Sequence, residues 1–148
     1  MSSIITFVWI IIVCAVSVGF WFFYSKPQMR KMKASGEEFL ATHPDAAKVY
    51  LTTKTFITSE AVTVYSVNGD GPVKFMEGMK TGFYLLPGTS SVEVCYSYTR
   101  PGLLHKNVTS TTDVVKKDLV VDAKKSYLLG FDRSEDVFTF VEYDPNNK

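Results

Sequence analysis

Residues 4–24 read IITFVWIIIVCAVSVGFWFFY, 21 positions without a charge. As an α-helix rising 1.5 Å per residue this run covers about 30 Å, the hydrocarbon thickness of a bilayer. Cores of soluble proteins rarely hold so long an uncharged stretch, so the run predicts a transmembrane helix. Trp9, Trp21 and Tyr24 are amphipathic aromatics, and the last two stand at the end where an interfacial belt is expected. A cleaved signal peptide fits less well. The leading Met-Ser-Ser carries no basic side chain, and residues 18–23 stay apolar beyond the small residues Ala15 and Ser17. Cys14 follows Val13, where a lipoprotein cysteine wants a small residue before it. The expectation is a retained anchor.

All 16 Lys and Arg and all 15 Asp and Glu lie beyond Tyr24, so an ordinarily charged chain follows, long enough for one small domain. A net charge of +1 excludes a general nucleic-acid binder, which needs a concentrated basic surface. No basic residue precedes the run, whereas Lys26, Arg30, Lys31 and Lys33 follow it. Basic flanks stay on the cytoplasmic side, so the N-terminus is expected outside and the domain in the cytoplasm, with an extracytoplasmic domain as the alternative. The same four side chains can hold anionic headgroups at about 1 kcal/mol each. The two cysteines, Cys14 and Cys95, are separated by the membrane boundary and cannot pair, which excludes a disulfide framework.

The chain divides into a transmembrane helix (1–24), a basic helical stalk (25–45) and a β-sandwich domain (46–148). In the stalk, Pro27 suits a first turn, Gly36 weakens the helix by up to about 1 kcal/mol, and His43-Pro44-Asp45 ends it. Strand patterns follow at 47–53, 55–58, 61–67, 73–75, 82–86, 91–98, 107–114, 118–121, 126–131 and 137–143, rich in Val, Tyr, Phe and Thr. Turn residues separate them, notably Asn68-Gly69, Pro87-Gly88 and Asp132-Arg133-Ser134. The fold class is mainly β: a small antiparallel sandwich behind one helix. In 91–98, Val92, Val94, Tyr96 and Tyr98 alternate with polar residues, which places Cys95 on the solvent side. The last strand is apolar on both faces, as in a covered strand or a sticky edge.

Val67-Asn68-Gly69, Gly82-Phe83-Tyr84-Leu85-Leu86-Pro87-Gly88, Val92-Glu93-Val94 and Val121-Asp122-Ala123-Lys124-Lys125-Ser126-Tyr127 together resemble the small bacterial PEGA-type and prealbumin-like β-sandwich domains of membrane proteins and lipoproteins. The likeness covers residues 60–131. It departs at Leu86, where an acidic or polar residue is usual, and at Lys124, where glycine is usual. It implies a sandwich that serves as a binding or structural module, and it supplies no site.

Motifs of chemistry are sparse. His43-Pro44-Asp45 matches the tripeptide of J-domain cochaperones, but strand residues follow where a second helix is needed. Leu86-Pro87-Gly88-Thr89-Ser90 departs from a sortase signal at its fifth position and reads as a turn. Asn68-Gly69-Asp70-Gly71 lacks the distal ligands of a calcium loop, and zinc-ligand spacing is missing. The Asn107-Val108-Thr109 sequon matters only for a lumenal domain. Asp132, Glu135 and Asp136 gather at one turn and read as solvated surface. Cys95 with His105 is conceivable as a nucleophile and base, with no oxyanion motif beside them. The expected function is therefore a non-enzymatic interaction module without cofactor or metal. Its partners are the lipid bilayer and a protein, and the alternative is an envelope-facing domain that binds a cell-surface protein or glycan. Tyr98, Arg100, Leu103 and Leu104, where strand meets loop beside Tyr96 and Pro101, are the candidate contact surface, because aromatic and Arg side chains dominate binding hot spots.

Overall fold

One long helix, α1 (Ser2–Thr42), precedes ten strands. The computed structural model describes the backbone of residues 2–55, 58–102 and 107–145, and within these all side chains except those of 2–7, 21–26 and 55. The segments expected as anchor and stalk form a single helix of 41 residues, about 62 Å long. Pro27, expected in a first turn, lies in its interior, where one main-chain hydrogen bond is forgone. Along its first half the described side chains are exposed, Trp9 to 63% and Phe20 to 71%. Among the described residues no helix is long and apolar enough to cross a membrane. The helix stops as its sequence predicts: Thr42 is its last residue, and the His43 amide bonds back to the Phe39 carbonyl at 2.8 Å.

The strands are β1 (Ala47–Leu51), β2 (Thr53–Thr55), β3 (Ser59–Val67), β4 (Lys74–Glu77), β5 (Lys80–Leu85), β6 (Gly88–Pro101), β7 (Asn107–Thr111), β8 (Val115–Val121), β9 (Ser126–Asp132) and β10 (Val137–Glu142). One sheet runs β10-β9-β1-β5-β4 and the other β2-β3-β6-β7, with β8 also on β6. The first sheet is mixed, which corrects the all-antiparallel expectation: β1 and β9 pair in parallel, Val49 opposite Tyr127. Parallel neighbours need a long crossover, and here the whole second sheet lies between them in sequence.

The core forms where inward positions of both sheets meet. Val49, Phe83, Leu85 and Leu129 come from one side, and Val62, Val64, Val92, Val94 and Val121 from the other. The chain changes sheets through the turns its sequence marks. Asn68 and Gly69 take φ of +53° and +91°, and Val67 and Asp70 exchange two main-chain bonds around them, as a type I′ turn requires. The first sheet is apolar on its outer face as well, where Tyr50, Phe75 and Tyr84 form a second cluster beneath Phe39 and Leu40 of α1. Gly36 lets the helix approach: a β-carbon there would lie 3.3 Å from Tyr84 Cε2. The stalk is therefore seated on the sheet through this contact and does not hang free as a linker.

Two further readings of strand environment are settled by packing. Cys95 is buried, contrary to its expected exposure. The phase of β6 is as expected, since Val92, Val94 and Tyr96 face the core. On the opposite face Cys95 is covered all the same, beside a bulge of β3 at Tyr65, between the pairs Val64–Val94 and Ser66–Glu93. The Tyr65 hydroxyl lies 3.7 Å from Cys95 Sγ. β10 takes the sticky-edge alternative: it ends its sheet, with Phe138 and Phe140 against the core and Val137 and Val141 exposed.

Candidate binding site

Two concavities stand out, and their polar groups differ in one respect. The larger, about 520 Å³, lies between α1 and the outer face of the first sheet, with Met29, Arg30, Met32 and Lys33 on the helix side and Lys48, Phe75, Glu77 and Tyr84 on the sheet side. Its central acid is already satisfied. Glu77 accepts from Lys48 Nζ and from the Tyr50 hydroxyl, the latter at 2.6 Å. The Lys48 ammonium and then the Tyr50 hydroxyl hold the Glu77 carboxyl below the ordinary carboxylate range. Burial, reinforced by Glu77, raises the Tyr50 phenol above its own.

This trio has a testable pH signature. Because the Glu77 pKa is lower in the folded chain, the unfolded chain binds more protons in that window, and stability rises with pH there. The contribution is present above the ordinary Glu value of 4.5 and is lost as pH falls through the depressed folded value. Thermal melts from pH 7 down to pH 3 should show the wild-type midpoint converging on that of Glu77→Gln as acidity increases. Parallel profiles would exclude Glu77 as the source.

The second concavity, about 440 Å³, opens at one end of the sandwich. It is built by strand register. Tyr96, Tyr98 and Arg100 alternate onto the inner face of β6, and β7 sets Ser110 opposite Tyr98 and Val108 opposite Arg100. The facing wall comes from the other sheet, where Phe131 of β9 stacks on Tyr96 with ring centroids 4.3 Å apart. Arg133 reaches over from the β9–β10 turn, its guanidinium carbon 3.9 Å from the centre of the Tyr98 ring. That turn is fixed by Asp132, whose carboxylate accepts from the Ser134 hydroxyl at 2.6 Å and its amide at 2.8 Å. Asp136, at φ +56°, lines the rim.

Charges in this pocket are unequally matched. Arg133 has Glu60 as a partner at 3.5 Å. Arg100 has no acidic partner among the described residues. Tyr96 is 6% exposed, and its hydroxyl is buried with no hydrogen-bond partner among the described residues. Burial, then the nearby Glu60 carboxylate, raises its pKa, so the group stays a neutral hydroxyl. A buried hydroxyl without a partner costs about 1–3 kcal/mol, so its survival calls for an explanation.

Of the residues expected at a contact surface, Tyr98 and Arg100 line this pocket. Leu103 and Leu104 lie outside the described residues, as does His105, the supposed partner of the now buried Cys95. Among the basic residues after the uncharged run, Arg30 and Lys33 line the helix-side cleft, Lys31 is exposed, and the Lys26 side chain is not among those described. Sequence reasoning missed Phe131, Arg133 and Ser110. The alternation of Val108 and Ser110 was there to read, but nothing local to Arg133 signals that the opposite sheet carries it to Tyr98. Compared with known proteins, the chain matches no family model, and no curated protein or solved structure is significantly similar to it.

Proposed function

We propose that this chain is a single-pass, membrane-anchored interaction module without catalytic activity, and that it recognises its partner through the pocket at the end of the sandwich. The observation that carries the reading is the meeting in one concavity of the Arg100 guanidinium and the buried Tyr96 hydroxyl, the first without an acidic partner and the second without a hydrogen-bond partner among the described residues. The described side chains of the pocket offer cationic, hydroxyl and aromatic groups but no His or Cys to activate a nucleophile. The likeness of residues 60–131 to PEGA-type domains, mostly binding or structural modules, points the same way.

The anchor rests on the uncharged run at 4–24 and on the unbroken helix that contains it. Ser17, a polar residue in that run, returns its hydroxyl to the Val13 carbonyl at 2.7 Å, the arrangement that lipid surroundings demand. The basic residues Lys26, Arg30, Lys31 and Lys33 favour a cytoplasmic domain.

Buried Cys95 is a poor reporter of orientation, whereas Met79, 99% exposed between β4 and β5, is a good one. In cells making Met79→Cys, a membrane-impermeant maleimide should label that thiol only after permeabilisation, and the protein should stay with membranes in alkaline carbonate. Labelling of intact cells would overturn the cytoplasmic placement in favour of an envelope-facing domain. Release into the carbonate supernatant would overturn the anchor.

A further inference from the structure

We infer that the pocket's ligand is an extended acidic peptide, which adds a strand to the outer edge of β7 and places a carboxylate on Arg100; this rests on the pocket being the binding site. Strands β7 and β8 lie along the same side of β6, so they share one edge of the second sheet. Natural sheets guard such edges with charge. The β8 half follows that rule, with exposed Lys116, Lys117 and Asp118. The β7 half, Asn107-Val108-Thr109-Ser110-Thr111, has no charge and no proline, and all five residues are exposed. No described strand pairs beyond it. An unguarded stretch beside a guarded one is the backbone template used in strand addition.

Register ties this edge to the pocket. A strand added outside β7 would run two strand spacings from β6, roughly 9.5 Å. Its alternate side chains would fall on the face that carries Val108 and Ser110, which is also the face of Tyr98 and Arg100. A Glu or Asp side chain at such a position spans the remaining distance to the Arg100 guanidinium, which meets carboxylates with two parallel hydrogen bonds. Charge favours an acid over a base, because Arg100 and Arg133 outweigh Asp136 in the lining and only Arg133 has an acidic partner. A glycan fits less well, since a face of each aromatic ring in the lining is already taken: Tyr96 is stacked on Phe131, and Arg133 covers Tyr98. The β10 edge is also uncharged from 137 to 141, but its strand lends no side chain to the pocket.

The test uses the full chain in detergent micelles and a display library of random seven-residue peptides. Enriched peptides should carry Asp or Glu, and their Glu→Gln versions should bind at least about tenfold more weakly. Arg100→Ala should weaken the acidic peptides by a similar factor and remove the preference for Glu over Gln. Methylation of alternate peptide nitrogens should abolish binding at every second position and spare those between, with amide exchange slowed across β7. If acidic peptides bind through Arg100 without this alternation, strand addition is overturned while the pocket reading stands. If only anionic oligosaccharides bind, and do so through Arg100, the peptide is overturned and the pocket again stands. If no probe senses Arg100→Ala, both fall.

Discussion

Gly82→Ala is expected to destabilise the domain by about 3 kcal/mol or more, and to lower its melting temperature by roughly 10 °C or more. Gly82 sits in the middle of β5, opposite Tyr50 on β1 and Phe75 on β4. A β-carbon there would lie 2.3 Å from the Val49 carbonyl oxygen and 2.5 Å from Phe75 Cζ. The requirement for glycine is thus close approach, because the Phe75 ring is laid across the position that a side chain would fill. The ring could swing away, but the carbonyl belongs to the β1–β5 ladder and can move only by loosening it. Gly82→Ala combined with Phe75→Ala should therefore fail to recover wild-type stability. Gly71→Ala is the control: nothing lies within 4 Å of its added carbon, and its change should stay within about 0.5 kcal/mol. Equal melting temperatures for Gly82→Ala and Gly71→Ala would show that the sheet relaxes around position 82 and would dismiss the close-approach argument.

The same residue marks how far the sequence could be read. Alternation and turn chemistry are local properties, so most strands and the Asn68-Gly69 reversal were visible in it; the strand expected at 55–58 meets β2 only at Thr55, and its residues 56–57 lie outside the described residues. Partnership is not local. The parallel pairing of β1 with β9 joins residues nearly eighty positions apart and depends on where the intervening sheet leaves the chain. Coverage is not local either. The pattern in β6 assigns Cys95 to the outer face correctly, but its burial there depends on neighbours from another strand, such as Tyr65. Gly36 and Gly82 look like weaknesses in a helix and a strand until their neighbours, Tyr84 and Phe75, are in view. The candidate site divides in the same way. Tyr98 and Arg100 could be seen at the end of an alternating strand, whereas Arg133 and Phe131 become part of the site only when the sheets stack.

Phe83 and Tyr84 are neighbours on β5 that point to opposite faces, so alanine at each probes a different layer. Phe83 is fully buried in the core between the sheets. Phe83→Ala removes a ring that both sheets pack around and should cost about 3–5 kcal/mol, or roughly 15 °C in melting temperature. Tyr84 belongs to the outer cluster, with Phe75 at 4.9 Å and Phe39 of α1 at 5.9 Å between ring centroids. Tyr84→Ala should cost less, about 2 kcal/mol, because the main core is untouched and the site borders a cleft. Its larger effect is local. With the ring gone, Gly36 and Phe39 lose the surface they rest on, and the last turns of α1 open without unfolding the sandwich. Limited trypsin digestion in detergent separates the two, since Arg30, Lys31 and Lys33 lie just ahead of the seat. Tyr84→Ala should speed cleavage at those sites and leave the sandwich resistant, whereas Phe83→Ala should speed cleavage throughout. Wild-type cleavage of the stalk in Tyr84→Ala would mean that something other than this aromatic cluster holds the helix against the sheet.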